Sequence, residues 1–390
     1  MKWSPQQDAA LRAVSRWLAD PNSYQVFRLF GYAGTGKTTL AKHLAQDVNG
    51  TVLFGAYTGK AAHVLQQKGC PAQTIHSMIY LPRGKSAERL LKMQQRLLKM
   101  DDDDAGAEDL VTEIKLETEN LNRPSFTLNI DSPVRGADLV VIDECSMVDE
   151  RMGEDLLHFG AKVLVLGDPA QLPPVRGGGY FTERNPDVLL TEIHRQAKDS
   201  PVIKLATDVR CGIKLSLGSY GESRVVSEID SDDAMRADQI LVGTNRIRRL
   251  VNIRMRQLRG FDGVTPCPGE RLVCLRNNHE LGLLNGSIWT VEQAYGDDDP
   301  VVLSLRPDEE TWTQDVLAHR AHFAGDDLEH WTRLEAEEFD YGYALTCHKS
   351  QGSQWEDVLI IDESAVFKQN ANRWLYTAIT RAAERVTIKI

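Results

Sequence analysis

Apolar and polar positions along this chain alternate between two periods. Short runs rich in β-branched and aromatic residues, at 26–30, 51–56, 137–144 and 162–166, end in glycine or carboxylates and predict strands of a buried parallel sheet. Between them, 8–18 and 40–46 carry apolar residues at helical spacing. The first of these helices opens with Ser4 as N-cap and Pro5 at the first helical position. The same alternation returns later as a helix at 201–210, a strand at 239–243 running into an arginine-rich helix, and closing strands at 358–362 and 386–390. This rhythm predicts an α/β protein.

Two stretches break the rhythm. Residues 81–131 place Leu90, Leu91, Met93, Leu97 and Leu98 at mostly helical spacing, then an aspartate run at 101–104, then the β-prone Ser125-Phe126-Thr127-Leu128-Asn129-Ile130. They read as an insertion. Within it Glu113-Ile114-Lys115 superficially matches the E-x-K of metal-dependent nucleases, but no acidic strand precedes it and a solvated helix is the better reading. The second break, 266–295, has short β segments at 271–275 and 287–293 with Asn277-Asn278 and Asn285-Gly286 turns, and predicts a small barrel. The acidic residues that follow, through Trp331, give no clear element.

Composition adds limits. At 390 residues and 42% hydrophobic content the chain can build two core-forming domains. No apolar run approaches the roughly 20 residues that span a bilayer, and the amphipathic, charged N-terminal segment is unlike a secretory signal. A cytoplasmic protein with no membrane partner is expected. Cys70, Cys145, Cys211, Cys267, Cys274 and Cys347 form no C-x-x-C pair, so reduced, packed thiols are expected rather than zinc ligands or a disulfide framework.

The net charge of −11 speaks against nucleic acid, yet the acid is clustered at 101–104, 297–299 and 326–340. Arg246, Arg248, Arg249, Arg254, Arg256 and Arg259 crowd one predicted helix. They form either a local phosphate-binding face or a solvated amphipathic helix.

The strongest chemical signal is Gly31-Tyr32-Ala33-Gly34-Thr35-Gly36-Lys37-Thr38-Thr39, lying between a strand and a helix as a Walker A loop must. Its glycines turn backbone N–H groups onto phosphate oxygens at a helix N-terminus. Lys37 would reach the β- and γ-phosphates, and Thr38 would present a hydroxyl to Mg²⁺. Asp143 and Glu144 close a buried strand as a Walker B pair, Asp143 for the Mg²⁺ shell and Glu144 to activate water. The loop Gly167-Asp168-Pro169-Ala170-Gln171 follows the next strand, where Gln171 could sense a γ-phosphate. Upstream, Gln7 either grips an adenine edge or is an ordinary helix-surface residue. Tyr57-Thr58-Gly59-Lys60-Ala61-Ala62 suits a phosphate backbone, while Thr74 reads as a helix cap.

Taken in order, Gln7, GYAGTGKTT, YTGKAA, TIHS, DECS, GDPAQLPPV, LTEIHRQ, LVGTN, ALTCHKSQG and WLYTAITRA make a series that resembles the superfamily 1 DNA helicases of the RecD and Dda type. The resemblance spans nearly the whole chain. It implies two RecA-like P-loop lobes, the first from 1–80 and 132–184 and the second from 185–262 and 340–390. A pin-bearing insertion at 81–131 and an SH3-like β-barrel at 263–339 complete the implied architecture. It also implies ATP and Mg²⁺ as cofactors, with Gly34, Thr35, Gly36, Lys37, Thr38 and Thr39 around the nucleotide.

Single-stranded DNA and single-strand/duplex junctions are the implied partners, with 5′ to 3′ translocation and replication, recombination or repair proteins alongside. Arg195 and Arg381 match the family's arginine fingers. Thr58, Lys60, His76, Asn245, Thr346 and His348 match its DNA track, with a hydrogen-bonded structural histidine as the other reading of His76 and His348. Phe126 is placed near the strand-separating tip.

Overall fold

A computed structural model describes residues 3–82, 92–93, 96–97, 110–114, 126–173, 179–192, 199–278, 280–296, 299–308, 310–326 and 336–390. The chain divides into two compact units, residues 1–75 with 134–390, and residues 76–133.

Among the described residues, the larger unit holds three sheets. The first uses β1 (Val26–Gly31), β2 (Val52–Ala56), β3 (Ala72–Thr74), β6 (Leu139–Asp143), β7 (Val163–Gly167) and β8 (Val188–Leu190) in the order β3-β2-β6-β7-β1-β8, all parallel. Leu139, Val140, Val141 and Ile142 of β6 are at most 1% exposed, each contributing about 1.5–3 kcal/mol by burial. Helices α1 (Pro5–Ala19), α2 (Lys37–Gln46) and α3 (Gly59–Gln67) cover this sheet. α1 begins at the expected Ser4–Pro5 cap, with a reciprocal Ser4–Gln7 capping box. The expected start of the second lobe near residue 185 is corrected: β8 pairs with β1 and belongs to the first sheet.

The second sheet runs β17-β11-β18-β19-β10-β9, from β9 (Gly218–Tyr220), β10 (Ser223–Val226), β11 (Gln239–Val242), β17 (Ala344–Thr346), β18 (Trp355–Ile361) and β19 (Ala382–Lys389), parallel except for β9. With it pack α6 (Pro201–Arg210) and α8 (Ala371–Ile379), whose Leu205, Val209, Trp374 and Ile379 share one core with Val358 and Ile388. α5 (Glu150–Leu157) precedes β7.

The third sheet is five-stranded and antiparallel, β15-β14-β13-β12-β16, from β12 (Arg271–Cys274), β13 (Ile288–Tyr295), β14 (Val301–Pro307), β15 (Gln314–Ala318) and β16 (Phe339–Tyr341). β14 and β15 fall where the acidic sequence gave no clear element. Their inward residues Val301, Leu303, Leu305, Val316 and Ala318 are buried, while charges point outward.

The arginine-rich helix α7 (Asn245–Leu258) divides its charges by face. Arg246, Arg249, Arg254 and Arg259 are exposed, but Arg248 and Arg256 are buried. Arg248 pairs with Asp340 at 2.7 Å, and Arg256 clasps Glu270 through Nε and Nη2 at 2.6 and 3.0 Å. Two of the six arginines thus form structural ion pairs joining α7 to the third sheet, and a solvated helix or a local phosphate-binding face would rest on the four exposed ones alone.

In the smaller unit, α4 (Ile75–Ile79) leads into a two-stranded ribbon of β4 (Tyr80–Pro82) and β5 (Phe126–Leu128). His76, Tyr80 and Phe126 cluster, the His76 and Phe126 ring centroids 4.0 Å apart edge to face. Residues 110–114 are helical with Glu113 exposed, in keeping with a solvated helix; Lys115 and the aspartate run at 101–104 lie outside the described residues.

Glu270 is fully buried and also accepts the Cys267 N–H, so Glu270→Ala strands the Arg256 charge. It should destabilise the protein by about 3–5 kcal/mol, against less than about 0.5 kcal/mol for Arg254→Ala, as read from urea unfolding.

Candidate functional site

The phosphate loop leaves β1 at Gly31, where an added Cβ would lie 2.6 Å from Thr35 Oγ1 and 2.8 Å from Leu190 Cβ. Gly34 and Gly36 hold φ values of 77° and 78°, the left-handed region that favours glycine. Thr35 is buried and its carbonyl accepts from Gln7 Nε2 at 3.0 Å, while Gln7 Oε1 accepts the Ser4 N–H. Gln7 thus gives one amide atom to the loop's backbone and the other to the cap of its own helix, and it is buried rather than at an exposed helix position. Lys37 Nζ donates to the carbonyls of Gly31 and Tyr32 at 2.6 and 3.2 Å. Gly34 and Thr39 are exposed at the loop's rim.

Thr38, first turn of α2, donates its hydroxyl to Asp143 Oδ2 at 2.9 Å, while Asp143 Oδ1 accepts the Glu144 N–H. A hydroxyl and one carboxylate side by side are hard oxygen donors, the set that holds Mg²⁺ together with substrate phosphates. Glu144 adopts φ 51° and ψ 45°, so the chain turns sharply and the two adjacent acids face different partners.

Glu144 faces residues from both main sheets. Arg381, at the end of α8, brings Nη1 to 4.0 Å from Glu144 Oε1. Gln171 sits between them, its amide nitrogen 3.2 Å from Glu144 Oε2 and its amide oxygen 3.2 Å from Arg381 Nη2. Burial pushes the Glu144 carboxyl above the usual carboxylate range, with Arg381 opposing and Asp143 adding to the rise. Lys37, Thr38, Asp143, Glu144, Thr380 and Arg381 line one cleft of about 350 Å³. Arg381 is itself fixed by the Thr377 and Ser353 carbonyls. Arg195 lies outside the described residues.

The candidate DNA contacts separate. Thr58 caps α3, accepting the Ala61 N–H at 3.1 Å. Lys60 lines both the cleft of Lys37 and Arg381 and a neighbouring cavity walled by Trp289, Trp312 and Trp355, with its Nζ 5.0 Å from the Trp355 ring centroid. Asn245 is exposed at the start of α7, in a turn held by Glu363, which accepts the Gly243 and Thr244 N–H groups. Thr346 ends β17 and His348 sits 5.7 Å from the Phe367 ring. Burial lowers the pKa of both His348 and His76, so each is neutral at physiological pH and acts as a hydrogen-bonding or stacking group. Phe126 and His76 are brought together in the smaller unit.

Sequence reasoning passed over three polar side chains around this site. Tyr376 hydroxyl donates to Asp168 at 2.6 Å and accepts the Ala33 N–H at 3.0 Å. Thr377 Oγ1 accepts the Leu172 N–H at 2.9 Å, and Gln351 Nε2 donates to the Leu172 carbonyl. The available signal was polar side chains inside the otherwise apolar stretch Trp374-Leu375-Tyr376-Thr377-Ala378-Ile379, every one of which is buried.

Because the folded-state pKa of Glu144 is raised, the folded protein holds more protons than the unfolded chain above the ordinary carboxylate value, and stability falls as pH rises through that window. Glu144→Gln should therefore raise Tm at pH 7, with the gain disappearing below about pH 4. Thermal melts of both proteins across pH 4–8 check this.

Residues 2–231 match the family described as AAA domain, and residues 341–388 match the UvrD-like helicase C-terminal domain. In sequence the chain is similar to the ATP-dependent RecD2 DNA helicase of Deinococcus radiodurans, 28% identical over 92% of this chain and 46% of that protein. It is also similar to the RecBCD enzyme subunit RecD of Mycobacterium tuberculosis, 26% identical over 92% and 66%. It thus spans less than half of the first relative and about two-thirds of the second. In structure it is similar to Bacteroides Pif1 bound to ssDNA, with a TM-score of 0.56, 17% identity, and 99% and 92% of the two chains covered. A structure of two coordinating Pif1 helicases at forked dsDNA aligns with a TM-score of 0.55 at 18% identity, over 99% and 92%. The fold is that of the two-lobe RecA-like helicases, and with the AAA-domain match covering more than half its length the chain belongs to the AAA-domain family, as a superfamily 1 member similar in sequence to the RecD proteins.

Proposed function

We propose that this protein is a DNA-stimulated ATPase that moves along single-stranded DNA, 5′ to 3′, and unwinds duplexes at single-strand/duplex junctions. The observation that carries this reading is the meeting of Glu144 and Gln171 with Arg381, beside Lys37 and Thr38, in one cleft. A single sheet with a phosphate loop would bind nucleotide; an arginine from a second sheet, set against the water-activating carboxylate, makes hydrolysis depend on how the two sheets close.

In this reading Lys37 leaves the Gly31 and Tyr32 carbonyls to meet the β- and γ-phosphates, and the loop's N–H groups hold the remaining oxygens. Thr38 and Asp143 hold Mg²⁺, which when bound neutralises phosphate charge. Glu144 orients and deprotonates the attacking water. Arg381, and Arg195 by the same motif logic, supplies positive charge to the γ-oxygens, where such fingers contribute roughly 10³–10⁵ in rate.

DNA contacts fall to Thr58, Asn245, Thr346, His348 and His76, and Lys60 acts at the cleft between nucleotide and DNA. The antiparallel third sheet takes the part of the SH3-like insertion. The 81–131 insertion supplies the pin, with Phe126 as its wedge. A base-pair step costs only about 1.4 kcal/mol to open, so an advancing motor needs only a modest wedge. ATP-driven closure produces motion only if open and closed states differ in DNA affinity. The RecD2 relative's description as an ATP-dependent DNA helicase and the Pif1 structures with single-stranded and forked DNA support this reading. So does the RecD relative's membership of a RecBCD enzyme for a recombination or repair setting.

Duplexes with a 5′ tail should be unwound with ATP and those with a 3′ tail should not; the reverse preference overturns the polarity. Lys37→Ala should abolish phosphate release while filter binding still detects DNA. Phe126→Ala should lose unwinding while retaining DNA-stimulated ATPase, and full strand displacement by that variant would remove Phe126 from the pin.

A further inference from the structure

The second sheet's helices grip the phosphate loop at two consecutive residues. Tyr32 lies under Arg210 of α6, whose guanidinium carbon is 3.5 Å from the ring centroid. Ala33 gives its N–H to the Tyr376 hydroxyl of α8. That hydroxyl has one proton, and it is committed to Asp168 at 2.6 Å. Asp168 is 2% exposed, and its other oxygen accepts the Ala170 N–H, which shapes the turn carrying Gln171. A carboxylate buried with two neutral donors depends strongly on each of them.

One residue on, α8 continues the same contact line. Thr377 accepts the Leu172 N–H through its hydroxyl and gives its carbonyl to Arg381 Nε at 3.2 Å. The phosphate loop, the Gln171 turn and the Arg381 anchor are therefore all referenced to one short segment of one helix.

We propose that Tyr376 is a positioning residue for the hydrolytic step: through its bonds to Ala33 and Asp168 it sets where Arg381 and Gln171 stand relative to phosphate held in the loop, and Arg210 on Tyr32 is its second strut. This rests on the ATPase reading above. Tyr376 meets the loop at the Ala33 N–H and is not among the residues lining the cleft. Its removal should leave nucleotide binding in place and impair the rate of turnover. Burial and Asp168 raise the tyrosine pKa, which keeps the hydroxyl protonated as a donor at all working pH values.

The test measures phosphate release against ATP concentration with saturating single-stranded DNA, for wild type, Tyr376→Phe, Arg381→Lys and the double variant, with thermal melts alongside. Tyr376→Phe should lower kcat roughly 10- to 100-fold, the scale of a lost charge-assisted hydrogen bond, with KM for ATP changed by less than about twofold. Acting through Arg381, the substitution should cost much less in the Arg381→Lys background. Wild-type kcat, equal losses in both backgrounds, or a matching rise in KM overturns the inference. Should Tyr376→Phe fail to fold, Asp168→Asn, which weakens the same bond, must lower kcat in the same pattern, and unchanged turnover there overturns it equally. A wild-type protein that releases no phosphate refutes the ATPase reading instead.

Discussion

The structure depends on one constraint, the need to present two adjacent carboxylates at the end of a buried strand without leaving either uncompensated. β6 is apolar through Ile142, and then Asp143 and Glu144 emerge at the carboxyl edge of the sheet. A regular strand would send them to opposite faces. The left-handed backbone of Glu144, which costs a non-glycine residue about 1–2 kcal/mol, instead turns Asp143 toward Thr38 and Glu144 toward Gln171 and Arg381. That strain is tolerable because both acids find partners. The phosphate loop supplies one and the second sheet supplies the other.

The rest of the larger unit serves to hold those partners. Gln7 ties α1 to the loop's carbonyl, and Tyr376 ties α8 to the loop's N–H. The antiparallel sheet is fixed to the second parallel sheet by buried polar groups as much as by apolar packing. Arg256 with Glu270, Arg248 with Asp340, and Asn252 with the Tyr341 and Ala344 carbonyls all project from one helix. Directional contacts of this kind specify orientation, whereas apolar contacts tolerate sliding.

The parallel strands, the α1 cap and the phosphate loop were legible because each is encoded by neighbours in sequence: alternation, a Ser-Pro start, glycines at fixed spacing. β8 was misassigned because a three-residue apolar run does not say which sheet it will join. β14 and β15 were passed over because acidic stretches flank them in sequence and apolar Val302 and Leu317 at outward positions blur their alternation. The arginine helix stayed open between two readings because charge counted along the chain says nothing about which side chains will be buried against Asp340 and Glu270.

By itself, then, the sequence determined the α/β character, the two phosphate-handling motifs and the family resemblance, since these rest on local propensity and on residue order. Only tertiary structure decided that Gln7 braces a carbonyl, that Lys60 stands between the nucleotide cleft and a neighbouring cavity, that Gln171 lies between Glu144 and Arg381, and that Tyr376 touches the phosphate loop at all. Each of those contacts spans tens to hundreds of residues, where closeness is created by packing and leaves no periodic mark on the chain.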